Sequence, residues 1–191
     1  MTVILQRCAL LAEPFLAPAY RLYLDAFEPT RRFAAQRHVM THAEFMDVAA
    51  DARVVKWLTL TEDGERVTGI GTVTRELSAV PLIEPEFFAD RWPAEYAAGK
   101  LWYVPFMATD HTPGAFRRLL LACSQDARDA AGLVFMDFSD SRVESNVPGV
   151  AAKLLRNASP HLYTGEVDVQ RFWMFGFDNA EKLLAEGAYD Q

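Results

Sequence analysis

Residues Phe106 to Leu120 read FMATDHTPGAFRRLL, an apolar run that stops at Asp-His-Thr-Pro-Gly and restarts with helical spacing. That order is a strand, a tight turn and the beginning of an amphipathic helix. The first N–H groups of such a helix have no acceptor within it and point at open space, which is where many proteins hold phosphate.

Upstream, Leu101 to Thr109 (LWYVPFMAT) has strand composition but contains Pro105. Proline donates no ladder hydrogen bond, so the pattern predicts a bulge or an opened pairing there. Downstream, Pro113 to Ala131 places Phe116, Leu119, Leu120, Cys123 and Ala127 on one side of a helix, which Gly132 ends. LVFMDFS follows and is apolar almost throughout, the signature of a strand covered on both faces. A strand, a helix and a second strand in that order predict parallel pairing across the helix.

The rest of the chain supplies the partners. Thr2 to Arg7 reads as a first strand, Glu13 to Phe27 as a helix, and Thr41-His-Ala-Glu44 as a capping box opening a second helix. VVKWLTL and RVTGIGTVT flank an Asp-Gly turn and form a hairpin. Residues 77 to 100 read as an insert with a short helix near Pro85 to Trp92, and Ser145 to Asn157 as a further helix. HLYT and VQRFWMFGF read as two final strands before a short helix over 179 to 187.

Composition narrows the function classes. The 191 residues are 51% hydrophobic and carry no repeat or low-complexity tract, which fits one domain over residues 1 to 191. A formal net charge of -7 argues against a nucleic-acid partner. No apolar run is long enough to cross a bilayer, and Arg7 and Glu13 interrupt the N-terminal segment. The expectation is a cytoplasmic protein with no membrane partner. Cys8 and Cys123 lack disulfide or metal-ligand spacing, and His38 with His42 has no third ligand, so no metal is expected.

This order of elements resembles the GCN5-related N-acetyltransferase (GNAT) superfamily over nearly the whole chain. The resemblance implies an α/β (α+β) fold: a mixed, mostly antiparallel sheet of about seven strands, helices on both faces, and a V-shaped splay between two parallel strands. It implies an acyl-CoA, acetyl-CoA above all, as co-substrate. Phe106, Met107 and Ala108 would line its pantetheine, and the turn would receive its pyrophosphate. The family turn has Gln or Arg, two variable residues, Gly, one variable residue, then Gly or Ala. Aligned through Leu119-Leu120, His111 and Gly114 take the first two places and Phe116 stands where a small residue is usual. Shifted by one, Ala115 fits the last place and Pro113 displaces the glycine. The turn is a degenerate version of the motif.

His111 and Arg117, with Arg118 beside it, are the basic candidates for phosphate, and Asn146 stands near a family asparagine that contacts CoA. Acyl transfer to an amine needs a proton acceptor for the amine and a donor for the thiolate. The helix tyrosine common in the family is absent between Ser145 and Asn157, which leaves Glu76, Tyr103, Asp137, Ser139 and Tyr163 as candidates. The resemblance implies an acyl-CoA-dependent N-acyltransferase acting on a small-molecule amine by direct attack. Two alternatives stay open: an inactive sensor or interaction module, and an acyltransferase using a carrier-protein donor. The basic loop with Arg31, Arg32, Arg37, His38 and His42 would shape the acceptor side, and a homodimer is implied by analogy.

Overall fold

The computed structural model describes residues 3–32, 39–81 and 83–169. Its centre is the hairpin predicted around Asp63-Gly64: β2 (Val54–Leu60) and β3 (Val67–Thr74) pair antiparallel, with Trp57 opposite Gly71 and Leu58 opposite Ile70. Both strands are rich in β-branched residues, and every residue of β3 is buried, as a central strand requires. β1 (Ile4–Cys8) adds antiparallel to β2 at one edge. β4 (Leu101–Val104) and β5 (Met107–Thr109) both lie on the far side of β3, and β6 (Leu133–Met136) runs parallel to β4. The six strands make one mixed, mostly antiparallel sheet.

One face is covered by α1 (Leu16–Phe27) and α2 (His42–Ala50). Tyr23, Phe45 and Phe106 meet Leu58, Ile70 and Ala108 in that core, the rings of Tyr23 and Phe106 edge-on at 4.9 Å. The capping box at Thr41 and Glu44 forms as predicted. Beyond it on the sheet, α3 (Pro85–Arg91) and α4 (Pro93–Ala97) bring Phe88 over Leu101 and Tyr103. The opposite face holds α5 (Ala115–Cys123) and α6 (Gln125–Asp129), whose Cys123 and Ala127 pack on Val73, Trp102 and Val104. α7 (Asp140–Glu144) and α8 (Val147–Arg156) follow β6.

Glycine permits the closeness of α5 to the hairpin. A Cβ on Gly69 would stand 2.7 Å from Thr59 Oγ1 and 2.8 Å from Leu119 Cδ1.

Three expectations need correction. The helix read as continuous from Pro113 to Ala131 is two segments, broken at Ser124, whose hydroxyl donates to Leu120 O at 2.7 Å and competes with the backbone. The helix expected from Ser145 starts at Val147 as α8 and is preceded by α7, over residues for which no element was predicted. HLYT forms no strand: Leu162 N donates to Ser159 O across a turn started by Ser159-Pro160, and residues 162–169 have no regular structure. The last expected strand beyond Val169 and the helix over 179–187 lie outside the described residues. Six strands are therefore described where about seven were expected, and the strand order, the parallel pair and the helices on both faces are those of a GNAT-like fold.

Candidate functional site

The site is a gap opened by Pro105. β4 and β6 pair in register from Leu101↔Leu133 to Val104↔Met136, where their ladder ends. Past Pro105 the chain continues as β5, which among the described residues pairs only with β3. The two parallel segments part midway, as the interrupted run LWYVPFMAT predicted.

Register decides which backbone groups face the gap. Phe106 O accepts from Thr72 N at 3.0 Å, and Asp110 N donates to Thr68 O at 3.0 Å. In an antiparallel pair, bonding alternates along the strand. Residues 106, 108 and 110 therefore spend their groups on β3, and Met107 and Thr109 turn theirs toward the open side. Phe106 is turned away further: its N–H donates to Thr72 Oγ1 at 3.2 Å and its ring is buried against Tyr23. Of the three residues that the resemblance set along the pantetheine, Phe106 and Ala108 point backbone and side chain inward, and Met107 has its peptide groups toward the gap. Thr109 was missed by motif reading. Counting strand alternation back from the turn would have found it.

The mouth of the gap is the turn before α5. Asp110 Oδ1 accepts from Thr112 N at 2.9 Å, and the other carboxylate oxygen of Asp110 pairs with Arg66, tying the turn to the hairpin. His111 takes a left-handed φ of 65°, is exposed, and sits at the outside of the turn. Gly114 has φ 86° and no atom within 4 Å of a Cβ position, so the space in front of it is open. Ala115 is fully buried and its N–H is spent on Thr112 O, which makes it a packing residue. Among the described residues, the N–H groups of Gly114, Phe116 and Arg117 have no protein acceptor. Arg117 and Arg118 are exposed on the first turn. A cation there opposes the helix dipole, an arrangement that a bound anion would relieve.

At the inner end of the gap, Tyr103 Oη donates to Asp137 Oδ1 at 2.7 Å. Alternation explains the meeting: Tyr103 on β4 and Phe135 with Asp137 on the β6 line share the sheet face covered by α3. Burial first, then the charge and hydrogen bond of Asp137, push the phenol well above the usual tyrosine value and keep it protonated. Asp137 is exposed, and among the described residues no cation pairs with it.

The remaining candidates are elsewhere. Glu76 follows the end of β3 farthest from β5, beside Leu77, Gly99 and Leu101. Tyr163 is 90% exposed and belongs to no strand. Ser139 precedes α7, with its hydroxyl 3.2 Å from that of Ser141. Asn146 precedes α8 with a left-handed φ of 56°, its side chain exposed and against Gly149. In the basic loop, Arg31 pairs with Glu28 at 2.8 Å and His42 stacks edge-on with Tyr20, while Arg37 and His38 lie outside the described residues. No group of three potential metal ligands occurs among the described residues. A surface depression of about 450 Å³, lined by Arg75, Lys100, Trp102, Asp126 and Asp129, lies at the other end of β4 from the gap.

No family model matches the sequence, and no curated protein is significantly similar to it. Among solved structures, the aminoglycoside acetyltransferase meta-AAC0020 from an uncultured soil metagenomic sample, in complex with trehalose, is 16% identical with a TM-score of 0.47 over 91% of this chain and 97% of that one. The same enzyme in complex with sisomicin gives the same values. An acetyltransferase of Trypanosoma brucei is 14% identical with a TM-score of 0.49, over 91% of this chain and 100% of that one. Likenesses of this degree transfer neither a substrate nor an activity. The chain's own strand order and its opened parallel pair give it a GNAT-like fold.

Proposed function

We propose that this protein is an acyl-CoA-dependent N-acyltransferase that moves an acyl group, acetyl in the first instance, from a thioester to a small-molecule amine by direct attack. The observation that carries the reading is the parting of β5 from β6 beyond Val104↔Met136, which leaves the peptide groups of Met107 and Thr109 facing a gap. A pantetheine arm carries two amides and suits such an edge, because each can bond to backbone as an added strand would. The open turn at Gly114, and the N–H groups of Gly114, Phe116 and Arg117 that have no acceptor among the described residues, suit the pyrophosphate at its other end.

A donor lying along β5 with its pyrophosphate on that turn brings its thioester to the inner end, beside Tyr103 and Asp137. As the amine nitrogen bonds to the thioester carbon it gains positive charge, and the Asp137 carboxylate accepts the proton that must leave it. The carbon–sulfur bond then breaks and the thiolate departs, taking a proton from solvent. Tyr103 keeps its own proton, since its raised pKa makes it a poor acid, and it serves to hold Asp137 in position. Orientation of donor and amine supplies much of the acceleration, and no covalent enzyme intermediate is required.

The test has two stages. Acetyl-CoA and CoA raise the melting temperature by mass action if they bind the folded chain. Amine-dependent thiol release then establishes turnover, and Asp137→Asn lowers kcat/KM by about 100-fold or more. Absence of any melting shift at millimolar acetyl-CoA would falsify the donor assignment.

A further inference from the structure

The surroundings of Asp137 point beyond an amine in general. Its carboxylate is exposed, carries one hydrogen bond, from Tyr103, and has no cation paired with it among the described residues. The same sheet face presents a continuous set of rings. Phe88 stands 6.4 Å from Tyr103 and 4.9 Å from Phe135, and Trp92 stands 4.7 Å from Phe135. Phe135 is two residues before Asp137 on β6 and, like Phe87 and Trp92, is only partly buried. Most of these rings come from α3 and the residue that follows it, in the segment between β3 and β4.

Resting on the acyltransferase reading, the geometry points to an acceptor whose amine is attached to a flat apolar body, of the arylalkylamine class. A carboxylate on the same sheet face as partly buried aromatic rings recognises an amine through both charge and ring quadrupole, and the Arg91 guanidinium, 3.9 Å over the Phe87 ring, shows this cluster accepting a cation. The apolar body removes ring surface from water, which a highly hydroxylated or polycationic acceptor does not do. An acidic amine is disfavoured, because its carboxylate would approach Asp137, with which no cation pairs among the described residues.

The experiment measures amine-dependent thiol release from acetyl-CoA with 2-phenylethylamine, ethylamine, spermidine and glutamate. The expected result is a kcat/KM for 2-phenylethylamine at least tenfold above each of the others. Trp92→Leu raises the KM for 2-phenylethylamine by about fivefold or more, while the CoA-dependent melting shift persists and reports that the donor site still forms. Without acetyl-CoA, 2-phenylethylamine quenches or shifts tryptophan fluorescence, and its hydroxyl counterpart 2-phenylethanol binds at least tenfold more weakly. Preference for spermidine, glutamate or ethylamine overturns the acceptor class and leaves the transferase reading standing. Binding of 2-phenylethylamine no tighter than 2-phenylethanol also overturns it. A donor that does not bind sinks the transferase reading instead, and the fluorescence titration then still decides whether the amine subsite exists.

Discussion

Lys56 makes stability depend on pH in a direction that can be worked out in advance. It lies on β2 directly opposite Cys8, is 0% exposed, and donates from Nζ to Ala9 O at 2.9 Å and to Asp51 O at 2.7 Å. Burial lowers its pKa from 10.5 to about 8, against the opposing pull of the Asp51 charge. The unfolded chain therefore holds this proton more tightly than the folded one, and between about pH 8 and 10.5 stability rises with pH. From pH 7 to pH 9 the gain is about 1 kcal/mol, which for a chain of this size is roughly 2 to 4 °C in melting temperature. Cys123 works the other way above pH 9, since burial pushes its thiol up to about 12. The measurement is thus a difference: urea unfolding of the natural chain and of Lys56→Met at half-unit steps from pH 7 to 9. The gap between the two curves should widen in favour of the natural chain by about 1 kcal/mol. Parallel curves would show that Lys56 keeps an ordinary pKa in the folded protein, and the argument from its burial would fall.

Other outcomes can be checked more briefly. Gly114→Asp keeps the melting temperature within a few degrees, since aspartate tolerates the left-handed conformation and suits a helix N-terminus, but it abolishes the CoA-dependent shift by meeting phosphate with like charge. Gly69→Ala forces its Cβ against Thr59 and Leu119 and lowers stability by about 1 to 3 kcal/mol in denaturant titration. A thiol reagent modifies Cys8 in the native protein and spares Cys123, which is 1% exposed, until urea is added. Rapid native labelling of both would show that α5 does not stay seated on the sheet.

The elements that form the gap were legible because they are punctuated by proline, which fixes φ and lacks an N–H, and by glycine, which alone reaches positive φ without strain. Pro105 marks the break between β4 and β5 and Gly114 the start of α5, whereas α6 stops at Asp129, short of the expected Gly132, and the left-handed residue after it is Ala131. The capping box at Thr41 likewise identified α2 without reference to any other part of the chain. The tyrosine–aspartate pair was legible only as two separate candidates, since Tyr103 and Asp137 are 34 residues apart and are joined by strand register. HLYT was misread because strand propensity says nothing about whether a neighbour is there to receive it. The ion pair of Arg66 with Asp110, which ties the turn to the hairpin, left no local trace, for the same reason that long-range partners seldom do.

The hydroxyl of Thr72 stands in for a ladder acceptor at the place where Pro105 widens the strand. The two positions are therefore not free to drift independently. Replacing Thr72 with valine should be tolerated poorly beside the natural proline and better once the interruption is repaired, so the pair is a place to look for epistasis. Any lineage that closed the gap by losing Pro105 would also release the constraint on position 72.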